Sequence, residues 1–361
     1  MPNFGIATLS LGNAKHHPLA PRLHAAAAAG YKYIDLFDEC WAAYLVEYGL
    51  PSDGEKCWDA TEENIAIVRK LGGLVMRLGM RIPYSQPLRN IEGLLDPVEK
   101  KNAIGRVTRR FPFLRAFGTD LVFMCANVRT DQMVTDELNV VAKDLAELGD
   151  LAREFSENYG GRLIKIGYEG LSWARRNTWE STWEVVRRAD RGNVGLVVDA
   201  FNILAVEFAD PYAVDWSGRV YGDLDMGLRE VRRSMGRLVQ AVPGEKIFFF
   251  QVADAVRIEP GILVMERKGM GDVPALLPWS RGYRLFPCEE GLGAYLPVDL
   301  VAAAVLATGY KGPLSLEVFN HSLNGPGEEV PRIHAERGVV GLKRLVQRIA
   351  EVEPFGRRGK L

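Results

Sequence analysis

Four polar side chains stand alone in otherwise apolar runs: Glu169 in IGYEG, Asp199 in LVVDAF, Gln251 in FFFQVAD and Glu317 in LSLEVF. Burying a carboxylate is costly unless a cation or a hydrogen-bond donor compensates it. Three carboxylates directed at one point repel one another and do not stay ionised together without positive charge. One hard divalent cation meets that need. An all-oxygen set of three carboxylates and an amide suits such an ion, with Mg²⁺, Mn²⁺ and Co²⁺ all admitted. A single carboxylate at a strand end serves equally well as a helix N-cap or a salt-bridge partner. Four such residues in successive runs favour a shared metal. Gln251 differs in kind, because an amide oxygen is a weak ligand that could instead orient a neighbour.

The elements that must bring these residues together recur along the chain. Eight short runs rich in β-branched or aromatic residues read as strands: FGIATLSL (4–11), YIDLFDE (33–39), MRIPYS (80–85), DLVFMCA (120–126), LIKIGYE (163–169), VGLVVDAFN (194–202), KIFFFQVAD (246–254) and GPLSLEVFN (312–320). Helical patterns such as APRLHAAAAAG and VAKDLAELGDLAREFSENYG lie between them, several ending at a Gly or Asn C-cap. Strands alternating with helices imply parallel pairing through right-handed crossovers, and eight such units close into a (β/α)₈ TIM barrel. An open doubly wound sheet is the competing architecture, but no GxGxxG or GxxxxGK[ST] loop occurs. The 361 residues are expected to form one domain, with a Gly- and Pro-rich insert at about 255–311 after strand seven. That insert falls on the face where barrel active sites lie and reads as a substrate-covering segment.

Composition narrows the partners. The net charge of −1 supplies no field to attract nucleic acid or an anionic membrane, which leaves a small molecule as the expected partner. No apolar stretch is long enough to span a bilayer, and the N-terminal residues lack a signal-peptide pattern, so a cytoplasmic location is expected. Cys40, Cys57, Cys125 and Cys288 have no metal-binding spacing and are expected to be reduced and without functional role. Oligomeric state is not legible.

The segments YEGLSWARRNTWESTWEVVRRADRGNVGLVVDAFNIL, FFFQVADA, WSRGYRLFPCEEGLGAYLPV and GPLSLEVFN resemble the fungal 3-dehydroshikimate dehydratases of the xylose-isomerase-like barrel superfamily. ATLSLG, the AAAAAGY helix end and QPLRNIEGLLD extend the resemblance, more loosely, into the N-terminal half. The resemblance implies that Glu169, Asp199, Gln251 and Glu317 ligate one divalent metal. It also implies dehydration of 3-dehydroshikimate to protocatechuate, a step of quinate catabolism. That reaction removes the proton on C4, next to the ketone, and expels the C5 hydroxyl, so it needs charge stabilisation at the ketone and an acid for the leaving group.

The substrate carboxylate calls for a guanidinium. Arg284 in WSRGYRLF is the first candidate, followed by Arg281 and Arg89. Arg176, or its neighbour Arg175, occupies the region after YEGLSW where bacterial relatives carry histidine and fungal ones arginine. Asn202 likewise resembles the fungal branch and is expected at the substrate, with Arg176 expected in the catalytic set. The candidate proton carriers are His321, just beyond strand eight, with Glu39 and Glu289 as alternatives. The segment IPYSQPL departs from the family pattern, as does Asp38 in the second strand. A sugar or keto-acid isomerase of the same superfamily would use the same metal but return the proton to the neighbouring carbon. The RLFPCEE…GAYLPV loop speaks for the dehydratase branch. An endonuclease on this barrel would need many histidines and a basic face, which five histidines and a net charge of −1 do not provide. A degenerate barrel kept as a scaffold is the non-enzymatic alternative, against which the four intact ligands stand.

Overall fold

The structure is a computed structural model that describes residues 2–52 and 55–355. Seven parallel strands run in chain order: β1 (Phe4–Ala7), β2 (Tyr33–Phe37), β3 (Tyr84–Leu88), β4 (Leu121–Cys125), β5 (Lys165–Glu169), β6 (Val194–Asp199) and β7 (Ile247–Val252). A small antiparallel ribbon follows, β8 (Asp254–Ala255) against β9 (Arg284–Leu285), and then β10 (Leu314–Leu316). β10 pairs with both β7 and β1, so eight parallel strands close the barrel. The helices form the outer ring, joining each strand to the next as the alternating pattern predicts.

Helix boundaries follow local chemistry. Thr61, Asp96, Thr178 and Asp223 accept backbone N–H groups at the starts of helices, and Gly30 and Gly118 end theirs in the left-handed region. Tyr84 fills the barrel interior, its ring 4.4 Å from Phe249 and 5.3 Å from Phe123.

Two sequence expectations need correction. The third strand lies at Tyr84–Leu88 rather than 80–85. Gly79, at φ 72°, ends the preceding helix in the left-handed region. Met80–Pro83 then belongs to no strand, and a lone bridge joins Arg81 to Tyr33. Proline at 83 has no N–H to offer a ladder. The shift puts Arg89 directly after a strand end. The insert is also shorter than 255–311, because Val298–Ala307 is the outer helix that leads to β10. It is ordered by two helices, Pro260–Met270 and Leu277–Gly282. Oδ1 of Asp254 braces its base by accepting the N–H groups of Ala255, Tyr295 and Leu296.

Candidate metal centre at the barrel mouth

Parallel strands end at the same face, so the last residues of neighbouring strands share a layer. Asp199 is in register with Gln251, and Cys125 with Glu169. Glu317 follows β10 by one residue. Ligand oxygens of Glu169, Asp199 and Glu317 lie within 4.8 Å of one another, and all three residues are buried. Gln251 is fully buried beside them.

Each carboxylate is held from outside the cluster. Nδ2 of Asn202 donates to Oε1 of Glu169 at 3.0 Å and to Oδ2 of Asp199 at 2.9 Å, bridging the two. Sγ of Cys125 lies 3.3 Å from Oε2 of Glu169. Oδ1 of Asp199 accepts the N–H of Phe201 at 2.8 Å, so this residue caps the helix Ala200–Glu207 as well as facing the cluster. Burial raises the pKa of Glu169 well above the ordinary carboxylate range, and Glu317 and Asp199 add to the shift while Arg284 opposes it.

Arg284 is 2% exposed, and its Nη1 lies 2.8 Å from Oδ2 of Asp199 and 3.2 Å from Oε2 of Glu317. Its guanidinium sits 4.0 Å over the Phe201 ring, and Nη2 donates to Oγ of Ser280. Glu169, in contrast, is met by the Asn202 amide and the Cys125 thiol rather than by a guanidinium in ion-pair contact. Oε1 of Gln251 is buried with no hydrogen-bond partner, while its Nε2 donates to Oη of Tyr84 at 3.2 Å. A buried carbonyl oxygen without a donor is costly. Cation coordination would satisfy it, so the residues present fit a hard divalent ion.

The other candidates divide. Arg89, Arg281 and Arg284 line a cavity of about 20 Å³ together with Glu169, Glu317, Phe37 and Phe319. Neither Arg89 nor Arg281 has a carboxylate or carbonyl partner for its guanidinium among the described residues. Burial lowers the pKa of Arg281 to about 10, with the Arg89 cation contributing. Arg281 lies 4.1 Å over the Phe319 ring and also borders a larger cavity of about 800 Å³, which Glu39 lines as well. His321 is exposed at the mouth, 3.3 Å from Oε1 of Glu266 and edge-on to Tyr283.

Arg176 and Glu289 are engaged elsewhere. Arg176 donates to the backbone carbonyls of Ser181 and Asp136, and Arg175 to those of Arg129 and Asp131. Glu289 forms a two-point ion pair with Arg337 at 2.8 and 2.9 Å and accepts the N–H of Phe286, which fastens the insert to the C-terminal helix. Asn202 touches the carboxylates, where the sequence reading had placed it at the substrate. Cys125, read as inert, contacts Glu169. Sequence reasoning also missed Asp35, Tyr84 and Ser315, whose partners are brought to them only by barrel closure.

Comparison with known proteins places the chain in a family. The xylose isomerase-like TIM barrel profile matches residues 23–339. A 3-dehydroshikimate dehydratase of Neurospora crassa is 33% identical over 354 residues, covering 96% of this chain and 94% of that protein. One from Pseudomonas aeruginosa is 35% identical over 319 residues, 87% of this chain but only 38% of that longer protein. Among solved structures, a xylose isomerase-like TIM barrel/4-hydroxyphenylpyruvate dioxygenase fusion protein is 29% identical with a TM-score of 0.67, over 96% of this chain and 43% of that one. The chain belongs to the xylose isomerase-like TIM barrel family.

Proposed function

We propose that this chain is a metal-dependent 3-dehydroshikimate dehydratase, converting 3-dehydroshikimate to protocatechuate and serving quinate catabolism. The observation that carries the reading is the buried cluster of Glu169, Asp199 and Glu317 with the unsatisfied Oε1 of Gln251 beside it. The near full-length similarity to the Neurospora crassa dehydratase supports the choice of substrate. No described helix is long and apolar enough to cross a membrane, and we place the enzyme in the cytoplasm.

Glu169, Asp199, Gln251 and Glu317 would hold Mg²⁺, Mn²⁺ or Co²⁺. Such an ion, when bound, supplies a Lewis acid for the substrate ketone. Arg89 and Arg281 are neighbouring cations with no ion pair among the described residues, so a substrate carboxylate would relieve their mutual repulsion. Arg284, already committed to Asp199 and Glu317, joins them from the metal side of the cavity. Glu39 and His321 are the groups we assign to proton transfer, one taking the C4 proton and the other protonating the departing C5 hydroxyl. The products of these two steps are water and a dienone that tautomerises to the aromatic ring.

The test is ultraviolet absorbance during incubation with 3-dehydroshikimate, with EDTA and with Mg²⁺ or Mn²⁺ restored. Protocatechuate that appears only with metal supports the whole reading. Product that forms undiminished in EDTA would remove the metal from it. Bound metal without product would move the assignment to a sugar or keto-acid isomerase of the same family.

A further inference from the structure

Beneath the metal cluster a chain of hydrogen bonds crosses the barrel interior. Nε2 of Gln251 donates to Oη of Tyr84 at 3.2 Å, Oη of Tyr84 donates to Oδ2 of Asp35 at 3.2 Å, and Oγ of Ser315 donates to the same Oδ2 at 2.7 Å. All four residues are at most 0% exposed. They come from β7, β3, β2 and β10, so barrel closure alone assembles them.

The order of donors along this chain is dictated at its far end. Oδ2 of Asp35 receives two hydroxyl protons and is therefore an acceptor whether the carboxyl is ionised or carries a proton on Oδ1. A phenol has one proton to give. Once Tyr84 has given it to Asp35, the hydroxyl can present only a lone pair to Gln251. The amide must then meet it with the NH₂ end, which turns Oε1 the other way, and Oε1 is the atom left without a partner. The Tyr84 ring cannot easily tilt to change this, being packed against Phe123 and Phe249.

We propose that Asp35 and Tyr84 are positioning residues that set the amide orientation of Gln251, so that its oxygen rather than its nitrogen faces the metal. An amide turned the wrong way would offer hydrogen-bond donors to a cation and bind nothing. This inference rests on the assignment of Gln251 as a metal ligand.

Mn²⁺ titration by calorimetry, on protein first stripped with EDTA, tests it without recourse to activity. Tyr84→Phe keeps the ring and removes the hydroxyl, and its Mn²⁺ affinity is expected to fall by about 10- to 100-fold, the range typical of groups that orient metal ligands. In a Gln251→Glu background the same Tyr84→Phe change is expected to cost little, because a carboxylate has an oxygen at either end and needs no ordering. Equal losses in both backgrounds would show that Tyr84 acts through packing and would overturn the proposal. So would an unchanged affinity in Tyr84→Phe. Asp35→Ala, which removes the acceptor altogether, serves as the second variant if Tyr84→Phe fails to fold, and an undiminished affinity there would likewise overturn the proposal. Wild-type protein that binds no Mn²⁺ is a separate result, which removes the metal reading itself and this inference with it.

Discussion

Nη1 of Arg284 lies 2.8 Å from Oδ2 of Asp199, so a carboxylate of the proposed metal set is already paired with the protein's own cation. The pair is buried, and truncating one partner of such a pair leaves the other uncompensated. Arg284→Met is expected to destabilise the metal-free protein by about 3 kcal/mol or more, with excess Mn²⁺ restoring part of the loss. Urea denaturation in EDTA and in Mn²⁺ measures both, and equal stability of variant and wild type in EDTA would contradict the expectation. Arg284→Lys keeps a charge but loses the planar fork. It is expected to raise KM more than it weakens metal binding.

Glu317→Gln removes one anion from the cluster while preserving shape. Turnover is expected to fall more than about a hundredfold, since even residues that only orient metal ligands cost 10- to 100-fold. The circular dichroism spectrum should stay that of the wild type. Metal content by elemental analysis, alongside the absorbance assay, checks the cause. Full activity with full metal occupancy would take Glu317 out of the ligand set.

Asp35 makes stability depend on pH. Burial raises its pKa from 3.8 to about 7, against the hydrogen bonds from Ser315 and Tyr84. Between those values the folded protein holds a proton that the unfolded chain has released, so this group's contribution to stability falls as pH rises through the window. The effect amounts to at most roughly 4 kcal/mol, at about 1.4 kcal/mol for each pKa unit. Denaturant midpoints at pH 5 and pH 8, both in EDTA, should show a smaller decline for Asp35→Asn than for the wild type. An identical slope would mean that Asp35 does not titrate in this range.

The ion pair of Glu289 and Arg337 gives Glu289 a structural duty. Glu289→Gln is expected to lower stability by about 1–3 kcal/mol and to leave kcat at the wild-type value. Thermal unfolding and steady-state kinetics together test this, and a large loss of kcat in a stable variant would return Glu289 to the proton carriers.

The four strand-end residues were legible because each is a lone polar side chain in a run that folding must bury. The eight strands were legible for the related reason that short apolar runs alternate with amphipathic helices. The site's supporting residues were not. Asp35 in YIDLF is a lone charged residue of the same kind but lies mid-strand rather than at a strand end. Tyr84 in IPYSQPL does not stand out, and it meets Gln251 from 167 positions away. Their role exists only once the barrel has closed. The third strand was misplaced for a local reason. The helix Glu62–Arg77 and the residues after it are similarly apolar, and the left-handed turn at Gly79 is followed by residues that belong to no strand and make one isolated bridge. Arg284 reads as a substrate clamp because the substrate carboxylate calls for a planar guanidinium. Its approach to Asp199 depends on the path of its segment, which periodicity does not encode.

The β8–β9 ribbon places Arg284 at the foot of a stem whose other strand continues directly from β7. The tip, Pro260–Met270, is fastened by the buried Leu263 and by Glu266, which meets Tyr283 and His321, while most of its other side chains are exposed. The mouth is thus divided into a conservative part and a permissive part. Length and composition at the tip can drift, reshaping what the barrel admits, while the guanidinium below it keeps its appointment with the carboxylates.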